Sequence, residues 1–396
     1  MLSYKFLFDI AVILLSTKAL GLVTKRFKLP QVVGALLAGL VLGPAVLNIL
    51  HETDFIQQLA ELGVIVLMFT AGLETDIKEL KKSGVASVVI AILGMIVPLI
   101  LGFILANFFN TNNSLDSSLF LQHMFIGVIL TATSVSITVE TLRELGKLNS
   151  NAGNAILGAA IIDDILGIIA LTIISSCASS DTSTNIWIVI GKILLFFILA
   201  IMVGIVIFRL MNKEMKTHNT DLRRFVIFSF VFCLLLSYAA EEFFGVADIT
   251  GTFIAGLILS GTERKHYILS RFETSSYMLL SPIFFASIGI KVEIPKMSKE
   301  IIIFSILLII IAVISKIIGC GLGAKLCKYT NSEALQIGTG MVSRGEVALI
   351  MANKGKALGL MSSIFFGPVV IMVVITTIIS PILLKLVFHK ENIKIA

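Results

Sequence analysis

Charge is scarce in this 396-residue chain: Asp, Glu, Lys and Arg make up 14% of it, where a soluble domain carries about 25%. A chain so poor in charge cannot cover a globular surface, which argues against a soluble enzyme, a nucleic-acid binder and a single-span receptor. Cysteine is also scarce. Cys177, Cys233, Cys320 and Cys327 lie in or beside apolar runs without CxxC or ligand spacing, so neither a disulfide framework nor a metal centre is expected. No histidine is placed at the middle of an apolar run, and no imidazole proton relay is expected. The first apolar run, 4 to 23, lacks a small-residue cleavage site and continues into Thr24-Lys25-Arg26. It reads as a retained helix rather than a signal peptide.

What is present is hydrophobicity: 57% of the residues are apolar and the mean hydropathy is +1.01. At about 20 residues per crossing, polar breaks divide the chain into thirteen apolar segments, several of them short or interrupted by Gly and hydroxyl residues. With thirteen spans, the connecting loops alternate sharply in charge. One side holds only Lys5, Lys291, Lys296, Lys299, Lys354 and Lys356, and nearly all remaining loop Lys and Arg residues fall on the other. The positive-inside rule then puts the N-terminus outside and the C-terminus in the cytoplasm.

The second span, Gly34-Ala35-Leu36-Leu37-Ala38-Gly39-Leu40, matches the ninth, Gly251-Thr252-Phe253-Ile254-Ala255-Gly256-Leu257, at an offset of 217 residues. At that offset Phe69-Thr70-Ala71-Gly72-Leu73 in span three meets Ala286-Ser287-Ile288-Gly289-Ile290 in span ten. Small residues serve helix packing everywhere, but one offset shared by two consecutive spans points to a true repeat. Seven spans separate the copies, so the second enters from the opposite face. The expected architecture is all-α, with two inverted six-helix repeats and span seven as linker. Inverted repeats place a substrate site at mid-membrane, where broken helices meet. The broken candidates hold equivalent places in the two halves: Thr131 to Thr138 in span five and Gly338 to Glu346 in span twelve.

Span six carries Asp163 and Asp164 at the centre of Leu157-Gly158-Ala159-Ala160-Ile161-Ile162-Asp163-Asp164-Ile165-Leu166-Gly167. Each acid costs roughly 2.5 to 3.5 kcal/mol at that depth, and adjacent helical residues point about 100° apart. The two therefore face different partners. Lys316, deep in span eleven, has no acid near it in sequence and needs a carboxylate or the loss of its proton; either aspartate could supply the first. Thr131, Thr133, Ser134 and Ser136 offer the hard oxygens that an alkali cation takes, unless they merely bond back to their own helix. Arg344 and Glu346 read as an internal ion pair supporting the broken helix rather than as ion ligands.

LGAAIIDDILG, TATSVSITV, the lone Lys316 and GMVSRGEVALI together resemble bacterial sodium/proton antiporters of the NapA and GerN type, in the monovalent cation:proton antiporter superfamily. The resemblance runs over essentially the whole chain. It implies a NhaA-like fold with crossed broken helices, and a homodimer in the bacterial cytoplasmic membrane. The interface domain would be 1–73 with 224–292, the linker 186–210, and the ion-translocating core 85–175 with 299–388, moving as an elevator. It also implies Asp164 as the carrier of Na⁺ and protons, Asp163 paired with Lys316, and Thr131, Thr133 and Ser134 at the helix crossing. The expected activity is exchange of cytoplasmic Na⁺ or Li⁺ for external H⁺, two protons per cation, without a cofactor, an enzymatic reaction or a nucleic-acid partner. K⁺/H⁺ exchange and Na⁺-coupled symport of an organic solute are the alternatives in this fold. An intramembrane aspartyl protease would need its acids on different helices, and no channel filter sequence is present.

Overall fold

The computed structural model describes residues 4–27, 29–110, 115, 117–178, 186–217, 223–292 and 297–394. Lys28, Lys296 and the side chain of Glu346 lie outside the described residues. Helix is the only extended regular structure among those described. The elements run α1 (Lys5–Arg26), α2 (Gln31–Leu42), α3 (Asp54–Glu74), α4 (Ile77–Lys82), α5 (Gly84–Phe109), α6 (Leu119–Thr131), α7 (Val135–Glu144), α8 (Asn151–Ala178) and α9 (Ile186–Thr217). They continue with α10 (Arg223–Phe244), α11 (Asp248–Leu259), α12 (Lys265–Ser275), α13 (Ser281–Ile290), α14 (Lys299–Leu326), α15 (Asn331–Gly340), α16 (Glu346–Ala357) and α17 (Phe366–Lys394). Among the described residues nine spans are long and apolar enough to cross a membrane, α6 and α7 counting as one, and α2 and α11 are shorter apolar helices. The chain is thus an all-helical polytopic membrane protein.

Local chemistry sets many of the boundaries. Thr53, Ser118 and Ser298 each accept a hydrogen bond from the backbone N–H three residues on, and Thr330 with Glu333 forms a reciprocal capping box at the start of α15. These satisfy N–H groups that a helix cannot satisfy internally. Between α12 and α13 the backbone widens into a π-helical turn, Ser276–Leu280. Pro282 follows after Ser281. Its missing N–H and its ring, which would strike the carbonyl four residues back, account for that turn.

The chain divides into two compact units. The first comprises 1–14, 53–82 and 185–285. In it α3 crosses α11 so closely that a Cβ on Gly72 would strike the Phe253 carbonyl, and one on Gly256 the Phe69 carbonyl. Phe69 is fully buried there and stacks edge-on with Phe272 at 4.9 Å. Helix α9 turns Trp187, Ile188, Leu194, Ile201 and Met202 outward, an apolar face suited to acyl chains rather than water.

The second unit comprises 15–52, 83–184 and 286–396. Its α5 and α14 lie in close contact, because Gly94, Gly319 and Gly323 bring the backbones together. Phe304 packs edge-on against Phe109 and Phe365 in a core that also takes in Phe125, Leu308 and Met372. A crossing like that of α3 and α11 occurs here too. A Cβ on Gly39 would strike the Ala286 carbonyl, and one on Gly289 would strike Leu36 and Leu40. Adding 217 to Leu36, Gly39 and Leu40 gives Phe253, Gly256 and Leu257, the residues met in the α3–α11 crossing.

Candidate functional site

The site is built from five segments of the second unit. Helix α6 stops at Thr131, Ala132 to Ser134 run without helical structure, and α7 starts at Val135. Helix α15 stops at Gly340, and α16 starts at Glu346 after an irregular Met341 to Gly345. The two interruptions touch: Ser134 N–H donates to the Ser343 carbonyl at 2.8 Å, and the Thr138 hydroxyl donates to the Gly340 carbonyl at 2.7 Å. Gly345 is required beside Ser134, whose Oγ would lie 2.6 Å from a Cβ at that position. Four half-helix ends therefore meet, two presenting carbonyls and two presenting N–H groups, a mixture of partial charges suited to ions of either sign.

Arg344 steadies this break. Its fully buried guanidinium donates through Nη1 to the Met341 and Val342 carbonyls at 3.1 and 2.9 Å, and through Nη2 to the Ala312 carbonyl of α14 at 3.2 Å. Its own carbonyl accepts the Thr377 hydroxyl of α17 at 2.6 Å. A cation at the C-terminal end of α15 offsets the dipole there and occupies carbonyls that have lost their helical donors. Among the described residues the hydrogen-bond acceptors of the Arg344 guanidinium are carbonyls; its pairing with Glu346 falls on a side chain outside the described residues.

Helix α8 supplies the acids and α14 the base. Lys316 Nζ lies 3.0 Å from Oδ1 and 2.9 Å from Oδ2 of Asp163, and the two side chains are 0% and 2% exposed. Thr133, in the α6–α7 break, adds its hydroxyl to Asp163 Oδ2 at 2.7 Å. Asp163 thus accepts three hydrogen bonds, two of them from an ammonium, which is how a carboxylate stays buried as an ion. Asp164, one residue on and about 100° round the helix, is half-buried. The direction of the ammonium decides which acid it takes, a choice left open by spacing along the chain, where Asp163 lies 153 residues away and Asp164 is its neighbour.

Of the hydroxyls singled out in the sequence, Thr131 bonds back to the Val128 carbonyl at 2.7 Å. Ser134 and Ser136 lie 3.5 Å apart, Oγ to Oγ. Two contributors carried no sequence signal: Thr377, an ordinary threonine in an apolar helix, and Ala312, which offers only its carbonyl. Arg344 acts through main-chain oxygens as well, a role its charge alone does not announce. The excess of irregular backbone in span twelve was the available clue, because broken helix ends need donors.

Comparison with known proteins bears on what such a site does. The family described as "Sodium/hydrogen exchanger, transmembrane" matches residues 11–390. The chain is 38% identical to the Na(+)/H(+)-K(+) antiporter GerN of Bacillus cereus, covering 99% of this chain and 98% of that one. It is 39% identical to the probable Na(+)/H(+) antiporter GerT of the same organism, over 97% and 99%. Its fold is similar to that of the sodium proton antiporter MjNhaP1 from Methanocaldococcus jannaschii, with a TM-score of 0.67, 19% identity and 94% coverage of each chain. A buried Asp–Lys pair beside a second acid, set where two interrupted helices meet, and a family match over nearly the whole length lead to one conclusion: the chain belongs to the transmembrane sodium/hydrogen exchanger family, in the monovalent cation:proton antiporter superfamily.

Proposed function

We propose that this protein is a secondary antiporter that moves Na⁺ or Li⁺ out of a bacterial cytoplasm and protons in, two per cation, with Asp164 binding the cation. The observation that carries this reading is the ion pair of Asp163 with Lys316 beside Asp164, at the meeting of two broken helices. Asp164 has an oxygen set that either a proton or a small cation can neutralise, and Asp163 can release Lys316 by taking a proton. Thr133 and Ser134 stand where a cation would shed water, and Arg344, with Glu346 in the same segment, holds the break in shape. The named activities of the relatives support the choice of ions.

Thirteen crossings, N-terminus out and C-terminus in, follow if α6–α7 and α15–α16 each count as one broken span and α13, with the π-helical turn before it, as the tenth. The matching Gly39–Gly289 and Gly256–Gly72 crossings favour two inverted repeats. The protein would work as a homodimer in the cytoplasmic membrane, with 1–73 and 224–292 as interface, 186–210 as linker, and 85–175 with 299–388 as the part that moves as an elevator. K⁺ is a second reading for the cation, because the name of GerN includes it. Purified protein in proteoliposomes with an internal pH dye decides among these: proton movement is expected on adding Na⁺ or Li⁺. A response to K⁺ alone would replace the cation, and no response to any of the three would sink the antiport reading.

A further inference from the structure

Hydroxyl side chains gather at the two helix interruptions, and most of them are committed. Thr131 donates to the Val128 carbonyl, Thr133 to Asp163 and Thr138 to the Gly340 carbonyl, at 2.7 Å each, while Ser134 and Ser136 stand 3.5 Å apart. Ser343 differs. It lies in the irregular stretch between α15 and α16, it is 0% exposed, and its Oγ has no hydrogen-bond partner among the described residues. Leaving a buried hydroxyl unanswered costs about 1 to 3 kcal/mol, so such a group in a packed crossing calls for a partner from outside the protein.

The backbone puts this hydroxyl at the crossing rather than behind it. The Ser343 carbonyl accepts the Ser134 N–H at 2.8 Å, which fixes residue 343 against the segment that also holds Thr133 and, through its hydroxyl, Asp163. Gly345, two residues on, is extended, with φ −144° and ψ −150°, and its missing side chain faces the Ser134 hydroxyl. Alternate residues along extended backbone point to one side, so Ser343 turns toward the α6–α7 break as well. Arg344, between them, sends its guanidinium to the Ala312 carbonyl of α14 instead. The helices that stop here, α6 and α15, end in carbonyls, and their partial negative charge favours a cation over a neutral guest.

We propose that the Ser343 hydroxyl is a further ligand of the transported alkali cation, so that the second broken helix gives the ion site a side chain as well as its main chain. The proposal rests on the antiport reading above and adds to it a residue that sets cation affinity. A hydroxyl is a neutral hard donor. Ser343 therefore takes no part in the proton step and leaves the competition at Asp164 as it stands.

Two variants test it, Ser343→Ala and the near-isosteric Ser343→Cys, whose thiol is a poor ligand for a hard cation. In proteoliposomes with an internal pH dye, the apparent KM for Na⁺ is expected to rise about tenfold in both, the scale of one neutral contact to a charged group, with flux recovered at high Na⁺. A second measurement does not depend on transport. In detergent, Na⁺ should raise the melting temperature of the wild type by binding the folded state, and each variant should need about tenfold more Na⁺ for the same rise. Without Na⁺ the alanine variant should melt no lower than the wild type, because it loses a hydroxyl that has no partner in the fold. A hydroxyl that holds only a structural water would act in the opposite way, with variants that melt lower without Na⁺ and keep the wild-type KM. That result, or a wild-type KM and a wild-type melting response to Na⁺ in both variants, overturns the proposal. A wild type that moves no protons under any cation gradient would instead strike the antiport reading.

Discussion

Lys316 is fully buried and its ammonium is answered by Asp163, so the two residues cannot be altered independently. Lys316→Gln leaves Asp163 with one hydroxyl donor in a dry site. Breaking one side of a buried pair costs about 3 to 5 kcal/mol, whereas neutralising both sides is often neutral. Lys316→Gln is therefore expected to melt at lower temperature in detergent than the double variant Asp163→Asn with Lys316→Gln. The reverse order would mean that the pair contributes nothing to the fold. Asp164 is expected to behave differently. Asp164→Asn is cheaper to bury than the native acid yet cannot alternate between proton and cation, so it should insert and melt normally while cation-driven proton flux disappears. Retained flux in the purified variant would move the carrier role elsewhere.

At the scale of the element, the close crossings are the features most sensitive to substitution. Gly72 and Gly289 occupy the same place in two crossings related by the 217-residue offset, and each lies against a neighbouring carbonyl. A larger side chain forces the backbones apart, at about 1 to 3 kcal/mol or more. Gly72→Val and Gly289→Val should therefore lower the melting temperature by similar amounts, and a loss confined to one of them would show that the crossings are not equivalent. The match between these crossings was legible because glycine at a helix contact has no substitute where carbonyls sit this close. The π-turn before Pro282 and the contact of Glu144 with the first N–H groups of α2 were not legible. Pro282 showed only that something must change near it, and a glutamate at a helix end reads as solvated until α2 is placed against it.

For the whole molecule, the site can be counted in its two loaded states. With Na⁺ aboard, Asp163, Asp164, Lys316 and the cation sum to zero; with both acids protonated the site carries one positive charge. An inside-negative potential should then drive Na⁺ export by about 2.3 kcal/mol per 100 mV for each charge moved. The double variant Asp163→Asn with Lys316→Gln leaves Asp164 alone, neutral with either one Na⁺ or one H⁺. If active, it should exchange one for one and ignore voltage. The check is Na⁺ flux in proteoliposomes at a fixed pH gradient, with the potential set by K⁺ and valinomycin. A wild type indifferent to the potential would refute two protons per cation, and a double variant that still responds would shift attention to Arg344 and Glu346. Competition of Na⁺ and H⁺ for the same oxygens also predicts that the apparent KM for Na⁺ rises as cytoplasmic pH falls. A constant KM with a changing maximal rate would call for a separate pH sensor.

Membrane residence, the two interrupted spans, the glycine match at an offset of 217 residues and the identity of the intramembrane charges are all legible in the amino-acid sequence. Each rests on a cost paid wherever the residue lies along a span: charge and unsatisfied backbone are expensive in hydrocarbon, so their presence in apolar runs is informative without coordinates. Tertiary structure decided partnership. Lys316 could have met either aspartate, and only the rotation of α8 against α14 turns Asp163 toward it, with Thr133 completing the contact from a third segment. Arg344 reads in sequence as one half of an ion pair with Glu346, and its position beside the end of α15 gives it the carbonyls of Met341 and Val342 in addition. Glu144 had no visible task until the uncapped N-terminus of α2 came within reach of its two oxygens. Spacing along the chain carries no signal for such contacts, because a hydrogen bond depends on direction and distance within a few tenths of an ångström, and only packing sets those.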